Sequence, residues 1–563
     1  MKTSILSAFT VGFFCSTIFL SCTSQSNLVN ASNASIIIST DEVSVEGGKI
    51  RGIFNQEGSV EIYAGIPFAA PPIGDLRWKE PQDVIAWDGV LEADSFAPMA
   101  MQNRNSWLYT FLADNFVYHR KDATEKAPMS EDCLYLNIWK PAETPEENLP
   151  VMVYIHGGSL SSGSSYFYAY LGETMAKQGI IFVTVAYRLN IFGYLALPEL
   201  ASESPNGTTG NYGLLDQIKA LEWVKNNISA FGGDSENITI AGESAGSSSV
   251  NALCASPLAK GLFRRAIAES SSIAIPVPPH TFKDYQSALK SGEDVLREFN
   301  VSTVEELRSI PAEKLLKTKV NFNSMTLDGY ALTKNVYQTY IDGENNEEAL
   351  LNGFNAKEAN AFTLTTKMNV KKYNQMLQDI FGDNWVQVQK LYPAKNKKQA
   401  KAAYNEIFSA YNFAYGHYLW SNVLSQNAPV WEYYFSKENK GLSCWHSGEL
   451  IYAYGNIPNL KIYTQDDRDL SAIMVNYWVN FAKTGNPNAQ NLPEWKMYSD
   501  SPDSVLQLDT SISMIQDPYL ELYKIIDKTQ NRTQNSQEKE IETSLTQQEE
   551  SGVEEESTAE AEK

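Results

Sequence analysis

Apolar residues gather in short unbroken runs in the middle of the chain. Leu149-Pro150-Val151-Met152-Val153-Tyr154-Ile155 leads into His156-Gly157-Gly158. Ile180-Ile181-Phe182-Val183-Thr184-Val185-Ala186 follows, and Asn237-Ile238-Thr239-Ile240-Ala241 leads into Gly242-Glu243-Ser244-Ala245-Gly246. Runs of this length without polar alternation predict strands covered on both faces. Between the second and third, Leu214, Leu215, Ile218, Leu221 and Val224 return at near-helical spacing, which predicts a helix over Leu214–Asn227. Ala349–Asn355 and Val430–Phe435 are two further strand-like runs. Buried strands alternating with helices predict an α/β architecture, a large and mostly parallel central sheet with helices on both faces.

The two ends break this pattern. Met1–Cys22 opens with Lys2, continues through a largely apolar stretch from Ile5 to Leu20, and reads as an export signal. The stretch is short for a membrane span. Phe19-Leu20-Ser21-Cys22 resembles a loose lipobox, with Phe19 where Leu is usual. The expectation is an exported protein, either tethered to the cell envelope through a lipidated Cys22 or released in secreted or periplasmic form. Residues 527–563 are rich in Gln, Glu, Ser and Thr, contain no aromatic residue, and predict a disordered acidic tail. Residues 36–526 remain as one folded body with no internal repeat.

Charge narrows the function. The chain has 563 residues, 43% of them hydrophobic, and a formal net charge of −22. The apolar share supports a large core. A negative field repels phosphate backbones, so nucleic acid is not an expected partner. From Asn531 onward ten acids face three bases, so part of the charge belongs to the tail and not to the folded body. Five His and five Cys argue against a multi-zinc protein and against a disulfide-dense scaffold. No metal or organic cofactor is expected.

Gly242-x-Ser244-x-Gly246 is a weak motif by itself in a chain with 33 glycines. Its setting strengthens it, since a strand precedes it and a helix is expected after it. A sharp strand-to-helix turn lifts the serine hydroxyl above the sheet edge, beside the positive end of the helix, and the flanking glycines remove side chains that would clash. Ser244 is therefore the candidate nucleophile; a tight structural turn is the plainer alternative. Such a hydroxyl needs a base. In folds with this turn the chain order is nucleophile, acid, histidine. That order sets aside His119 and His156 and leaves His280, His417 and His446. His417 lies in the aromatic, helical-looking stretch Tyr411–Trp420 and reads as a packed core residue. His280 leaves little room for an acid between itself and Ser244. His446 lies in the loop after Val430–Phe435, where a base can reach the turn. The acid is expected after the preceding strand, and Glu358 stands three residues beyond Asn355, an assignment made on position. Backbone N–H groups of the small-residue loop after Ile155, with that of Ala245, are candidate donors to an oxyanion.

Two long segments carry a resemblance to a known family. Phe231–Gly246 resembles the serine signature of the type-B carboxylesterase/lipase family, and Glu131–Pro141 resembles its second signature at every position. Gly65–Gly74, Asn211–Gln217 and Phe481–Asn488 are similar as well, so the likeness covers about Val43–Tyr523. It implies an α/β-hydrolase fold and a serine hydrolase that cleaves small-molecule or lipid carboxylic esters through an acyl-enzyme. By resemblance Ser244 is the nucleophile, Glu358 the acid, His446 the base, and Gly158, Ser159 and Ala245 the oxyanion donors. The same resemblance implies bracing ion pairs Arg77–Glu131 and Arg188–Asp216, and a buried polar group of Glu243, Ser270 and Glu449 behind the triad.

The chain also departs from the family. Met99-Ala100-Met101 stands where relatives often carry the cysteine that bridges to Cys133, which implies a buried free thiol. Ala359 follows Glu358 where Gly is usual, and Ser159 replaces Gly or Ala. Ala123 occupies the place of a cholinesterase tryptophan, so a choline-ester specialist is not implied. Two other readings compete. Relatives that have lost catalytic residues serve as adhesion or binding ectodomains, which the retained Ser, Glu and His argue against. An interfacial lipase would use Tyr109–Pro128 as a lid.

Overall fold

The computed structural model describes residues 38–103, 110–111, 115, 127–143, 148–275, 282–439 and 444–530. The expected export segment, most of the lid candidate, His119, His280 and the chain from residue 531 lie outside the described residues. Two compact units divide the described chain. The larger holds residues 38–362 and 411–516, and the smaller residues 363–410 and 517–530.

The larger unit is built on one 13-stranded sheet. Its strands are β1 (Ser39–Val45), β2 (Gly48–Phe54), β3 (Val60–Pro67), β4 (Val90–Glu92), β5 (Tyr135–Pro141), β6 (Leu149–Ile155) and β7 (Ile181–Val185). They continue with β8 (Gly233–Glu243), β9 (Arg265–Glu269), β10 (Leu350–Asn355), β11 (Val430–Phe435), β12 (Ser504–Leu508) and β13 (Ser513–Gln516). The order across the sheet is β1-β2-β3-β5-β7-β6-β8-β9-β10-β11-β12-β13, with β4 beside β2. From β7 to β12 each neighbouring pair is parallel. β1-β2-β3-β5-β7 and the last hairpin β12-β13 pair antiparallel, while β4 runs parallel to β2.

Burial explains which strands take the centre. All seven residues of β6 are buried, whereas β1 has mostly exposed or half-buried positions. The sheet separates two apolar layers. Val151, Val153 and Ile155 of β6 pack with Leu214, Leu221 and Val224 of α1 (Tyr212–Asn227) and with Val250 and Leu253 of α2 (Ala245–Ala255). Met152 and Tyr154 point to the other layer, with Met474, Trp478 and Phe481 of α3 (Gln465–Thr484). The period-two alternation along one strand thus buries helices on both faces.

Two arginines brace this unit as the resemblance implied. Arg77 forks onto Glu131 with two 2.6 Å bonds and also donates to the Arg308 carbonyl at 2.8 Å. Arg188 forks onto Asp216 at 2.8 and 2.7 Å, and that carboxylate also accepts the Arg188 backbone N–H at 3.0 Å. Cys133, Cys254 and Cys444 are buried free thiols.

The smaller unit is helical among its described residues. Val370–Phe381 buries Tyr373, Leu377 and Phe381 at four-residue spacing, and Lys397–Ser409 buries Ala400, Ala403, Tyr404 and Ile407. Asn369 and Asn396 cap these helices through their side chains. A helix over 520–530 carries the described chain past residue 526. Among the described residues no helix is long and apolar enough to cross a membrane.

Candidate active site

β8 ends at Glu243 and α2 begins at Ala245, so Ser244 alone makes the turn, with φ 57° and ψ −126°. That backbone is strained for a residue with a side chain, by of order 1–3 kcal/mol, and persists where its surroundings impose it. Here the Ser244 N–H donates to the Glu269 carbonyl at 2.8 Å and its carbonyl accepts from Ser248 at 3.0 Å. The glycines are required by close approach. A Cβ on Gly242 would lie 2.6 Å from the Gly246 carbonyl, and one on Gly246 would overlap the carbonyl oxygen of Ile155.

The loops after β10 and β11 bring two side chains to this turn. Their strands run side by side, with Asn355 opposite Phe435, and Lys357 bridges to Trp445 beyond the strand ends. His446 Nε2 lies 2.8 Å from Ser244 Oγ, and His446 Nδ1 lies 2.6 Å from Glu358 Oε2. Glu358 is fully buried, and its other oxygen accepts the Asn355 backbone N–H at 2.7 Å. The imidazole is flanked by Phe362 and Phe413, with ring centroids 4.9 and 4.8 Å away. Ala359, which follows Glu358, opens the short helix Ala359–Thr363. The other described histidines stand elsewhere. His417 is buried and bonds Asn352 Oδ1 at 3.0 Å, and burial lowers its pKa to about 3. His156 stacks on Tyr187 at 4.5 Å, and burial lowers its pKa to about 4. Both are neutral packed rings, as the sequence setting of His417 suggested.

The loop after β6 passes directly over the serine turn. A Cβ on Gly157 would stand 2.6 Å from the Glu243 carbonyl oxygen and 3.0 Å from Ser244 Cβ. Beyond it Gly158 and Ser159 both take positive φ, 112° and 57°. Ala245 is the first residue of α2, so its N–H is one of the donors that a helix leaves unpaired and that carry its positive end. Among the described residues the N–H groups of Gly158, Ser159 and Ala245 have no protein acceptor.

Behind the serine lies a layer of buried carboxyls. Glu243 accepts from Ser447 Oγ at 2.7 Å and lies 3.3 Å from His446 Nε2. Glu449 accepts from Ser270 Oγ at 3.3 Å and from the Asn355 amide. Those contacts place the implied polar group of Glu243, Ser270 and Glu449 where the resemblance put it. Sequence reasoning missed Glu269. It pairs in register with Glu243 and accepts from Tyr454 OH at 2.7 Å and Trp478 Nε1 at 3.2 Å. Burial raises Glu243, pushes Glu449 well up, and lifts Glu269 to about 8. Burial works against charge on His446, but the facing carboxyls of Glu243 and Glu358 outweigh it and raise its pKa. Desolvation disfavours each carboxylate, and a single cation cannot balance them all. Among the described residues no group of three or more His, Cys, Asp or Glu is arranged to hold a metal ion.

Comparison with known proteins identifies the family and the fold. A model of the carboxylesterase family matches residues 39–526. The fumonisin B1 esterase of Sphingopyxis macrogoltabida is 34% identical over 471 residues, which cover 80% of this chain and 84% of that protein. The para-nitrobenzyl esterase of Bacillus subtilis (strain 168) is 33% identical over 502 residues, covering 84% and 96%. A solved PNB esterase structure superposes with a TM-score of 0.72 at 30% identity, over 86% of this chain and 99% of that one. The chain belongs to the carboxylesterase family, has its α/β-hydrolase fold, and is a carboxylic ester hydrolase.

Proposed function

We propose that Ser244, His446 and Glu358 carry out this hydrolysis as nucleophile, general base and orienting acid. The observation that carries the reading is the continuous relay from Glu358 Oε2 through both nitrogens of His446 to Ser244 Oγ. Ser244 Oγ attacks the acyl carbon as its proton passes to His446 Nε2. Glu358 accepts from Nδ1–H, which fixes the tautomer and stabilises the imidazolium. The carbonyl oxygen becomes an oxyanion facing the N–H groups of Gly158, Ser159 and Ala245; losing one such donor costs on the order of 2.7–4 kcal/mol in other hydrolases. His446 then returns the proton to the leaving alkoxide, and the C–O bond to the alcohol breaks. Water, deprotonated by His446, attacks the acyl-enzyme and releases the acid and Ser244. Small benzyl esters are suitable assay substrates, since a relative is named for a para-nitrobenzyl ester.

Kinetics of single and paired variants test the triad. Ser244→Ala and His446→Ala are each expected to lower kcat on the order of 10⁶-fold, with little further loss when combined. Glu358→Gln is expected to lower it roughly 10⁴-fold, because the amide favours the wrong tautomer. Turnover that survives Ser244→Ala, or losses that multiply in the double variant, would contradict the assignment.

We also propose export, with Cys22 as the membrane tether. Its support is the Lys2-led apolar run and the residues before Cys22. Metabolic labelling with a fatty acid is expected to mark the wild type and not Cys22→Ala; equal labelling would place the lipid on another residue, and an unlabelled wild type would leave a released enzyme.

A further inference from the structure

The loop that reads as the oxyanion site is held in an unfavourable backbone. Gly158, Ser159, Leu160 and Gly163 have φ of 112°, 57°, 55° and 120°. Two consecutive residues with side chains in this region persist only where the surroundings impose it. The restraints can be followed group by group. The Gly158 carbonyl accepts from the N–H groups of Ser161 and Ser162 at 3.1 and 3.0 Å. The Leu160 carbonyl accepts from the Asn190 N–H at 2.7 Å, and the Asn190 amide donates to the Met101 carbonyl at 2.7 Å. Gly163 lies against His156, where a Cβ would overlap the ring. Both backbone groups of Gly163 are taken by one buried side chain. Gln102 Oε1 accepts its N–H at 2.9 Å, and Gln102 Nε2 donates to its carbonyl at 2.7 Å. Nε2 also donates to the Ala100 carbonyl at 3.1 Å, so the carboxamide is fully used.

We propose that Gln102 is a positioning residue for ester hydrolysis, pairing with Gly163 as a neighbouring strand would and fixing the far end of the loop that presents the Gly158 and Ser159 N–H groups. The inference rests on the reading of those groups as oxyanion donors. Its physical basis is the short range of that stabilisation. Donors act when they stand about 2.7–3.1 Å from the oxygen that gains charge, and a shift of about 1 Å can cost roughly 10²-fold in rate. No disulfide anchors the segment that carries Gln102 to Cys133, which is a free thiol. The segment is held by the pairing of Met99 and Ala100 with Met129 and Ser130, by the Asn190 bond to Met101, and by Gln102 itself. The loss should appear in the chemical step and spare ground-state binding.

The test compares wild type, Gln102→Met, Gln102→Glu and Ser244→Ala. Each is assayed on a soluble para-nitrophenyl ester and titrated with an aryl trifluoromethyl ketone, which adds to a serine and places an oxyanion in the same cradle. Gln102→Met keeps the length of the side chain and removes all its bonds. It is expected to lower kcat about 10- to 100-fold with KM changed less than about twofold, and to weaken ketone binding by a similar factor. The acid limb of its pH profile should stay in place. Gln102→Glu keeps an acceptor for the Gly163 N–H but turns a carboxylate oxygen toward the Gly163 and Ala100 carbonyls, so it should show a loss of kcat and of ketone affinity at least as large, again with KM spared. If Gln102→Met does not fold, Gln102→Glu decides by the same split between kcat and KM. Unchanged kcat and ketone affinity in a folded variant, or a loss confined to KM, would overturn the inference. A wild type that the ketone does not inhibit, or inhibition that survives Ser244→Ala, would instead overturn the reading of the oxyanion site.

Discussion

The buried carboxyls beside Ser244 and His446 set how the site responds to pH. Glu269 is one of 67 acidic residues, and nothing local marks it. Its significance comes from the register that sets it beside Glu243 across β8 and β9. These acids lead to two predictions. A base must be neutral to accept a proton, so activity falls as the pH drops through the His446 pKa. Because that pKa is raised, the acid limb of kcat/KM should lie above the ordinary histidine value of about 6.5. Glu243→Gln removes one of the raising charges and should move the limb to lower pH; an unmoved limb would contradict the electrostatic cause. For Glu269 the folded pKa, about 8, exceeds the unfolded value of about 4.3. The folded state holds the proton more tightly, so this group's contribution to stability is full below about 4.3 and is lost as the pH rises toward 8. Glu269→Gln, a neutral isostere, should therefore gain melting temperature over wild type at pH 9 and not at pH 4. A gain that is the same at both would contradict it.

Loops at the carboxyl ends of β6, β8, β10 and β11 bring their side chains together at the parallel centre of the sheet, where such sheets open a crevice. The central strands could be read from the sequence because burial on both faces leaves only apolar positions. The antiparallel strands β1 to β3 could not, since β1 mixes exposed and half-buried positions without a clean period. Gln102 was equally hidden, because its bonds reach 61 positions along the chain to backbone atoms that carry no sequence signal. The arginine pairs could be placed only through the family likeness. Arg188 and Asp216 are 3% and 0% exposed, so removing the acid leaves a buried cation without its partner. Asp216→Ala should cost about 3–5 kcal/mol in unfolding free energy; a loss below about 1 kcal/mol in denaturant titration would show that the pair braces nothing.

At the scale of the whole molecule, the family match runs through both compact units, from residue 39 to 526. Within the larger unit, side chains as far apart in sequence as Ser244 and His446, 202 positions, meet at one point. The net charge of −22 says little about that point, where burial and a few neighbours set the chemistry. The most direct measurement is reaction of the purified chain with a fluorophosphonate, followed by intact mass and peptide mapping. One adduct per chain, on the peptide that contains Ser244 and absent from Ser244→Ala, is the expected result. An adduct on another residue, or labelling that persists without the Ser244 hydroxyl, would place the nucleophile elsewhere.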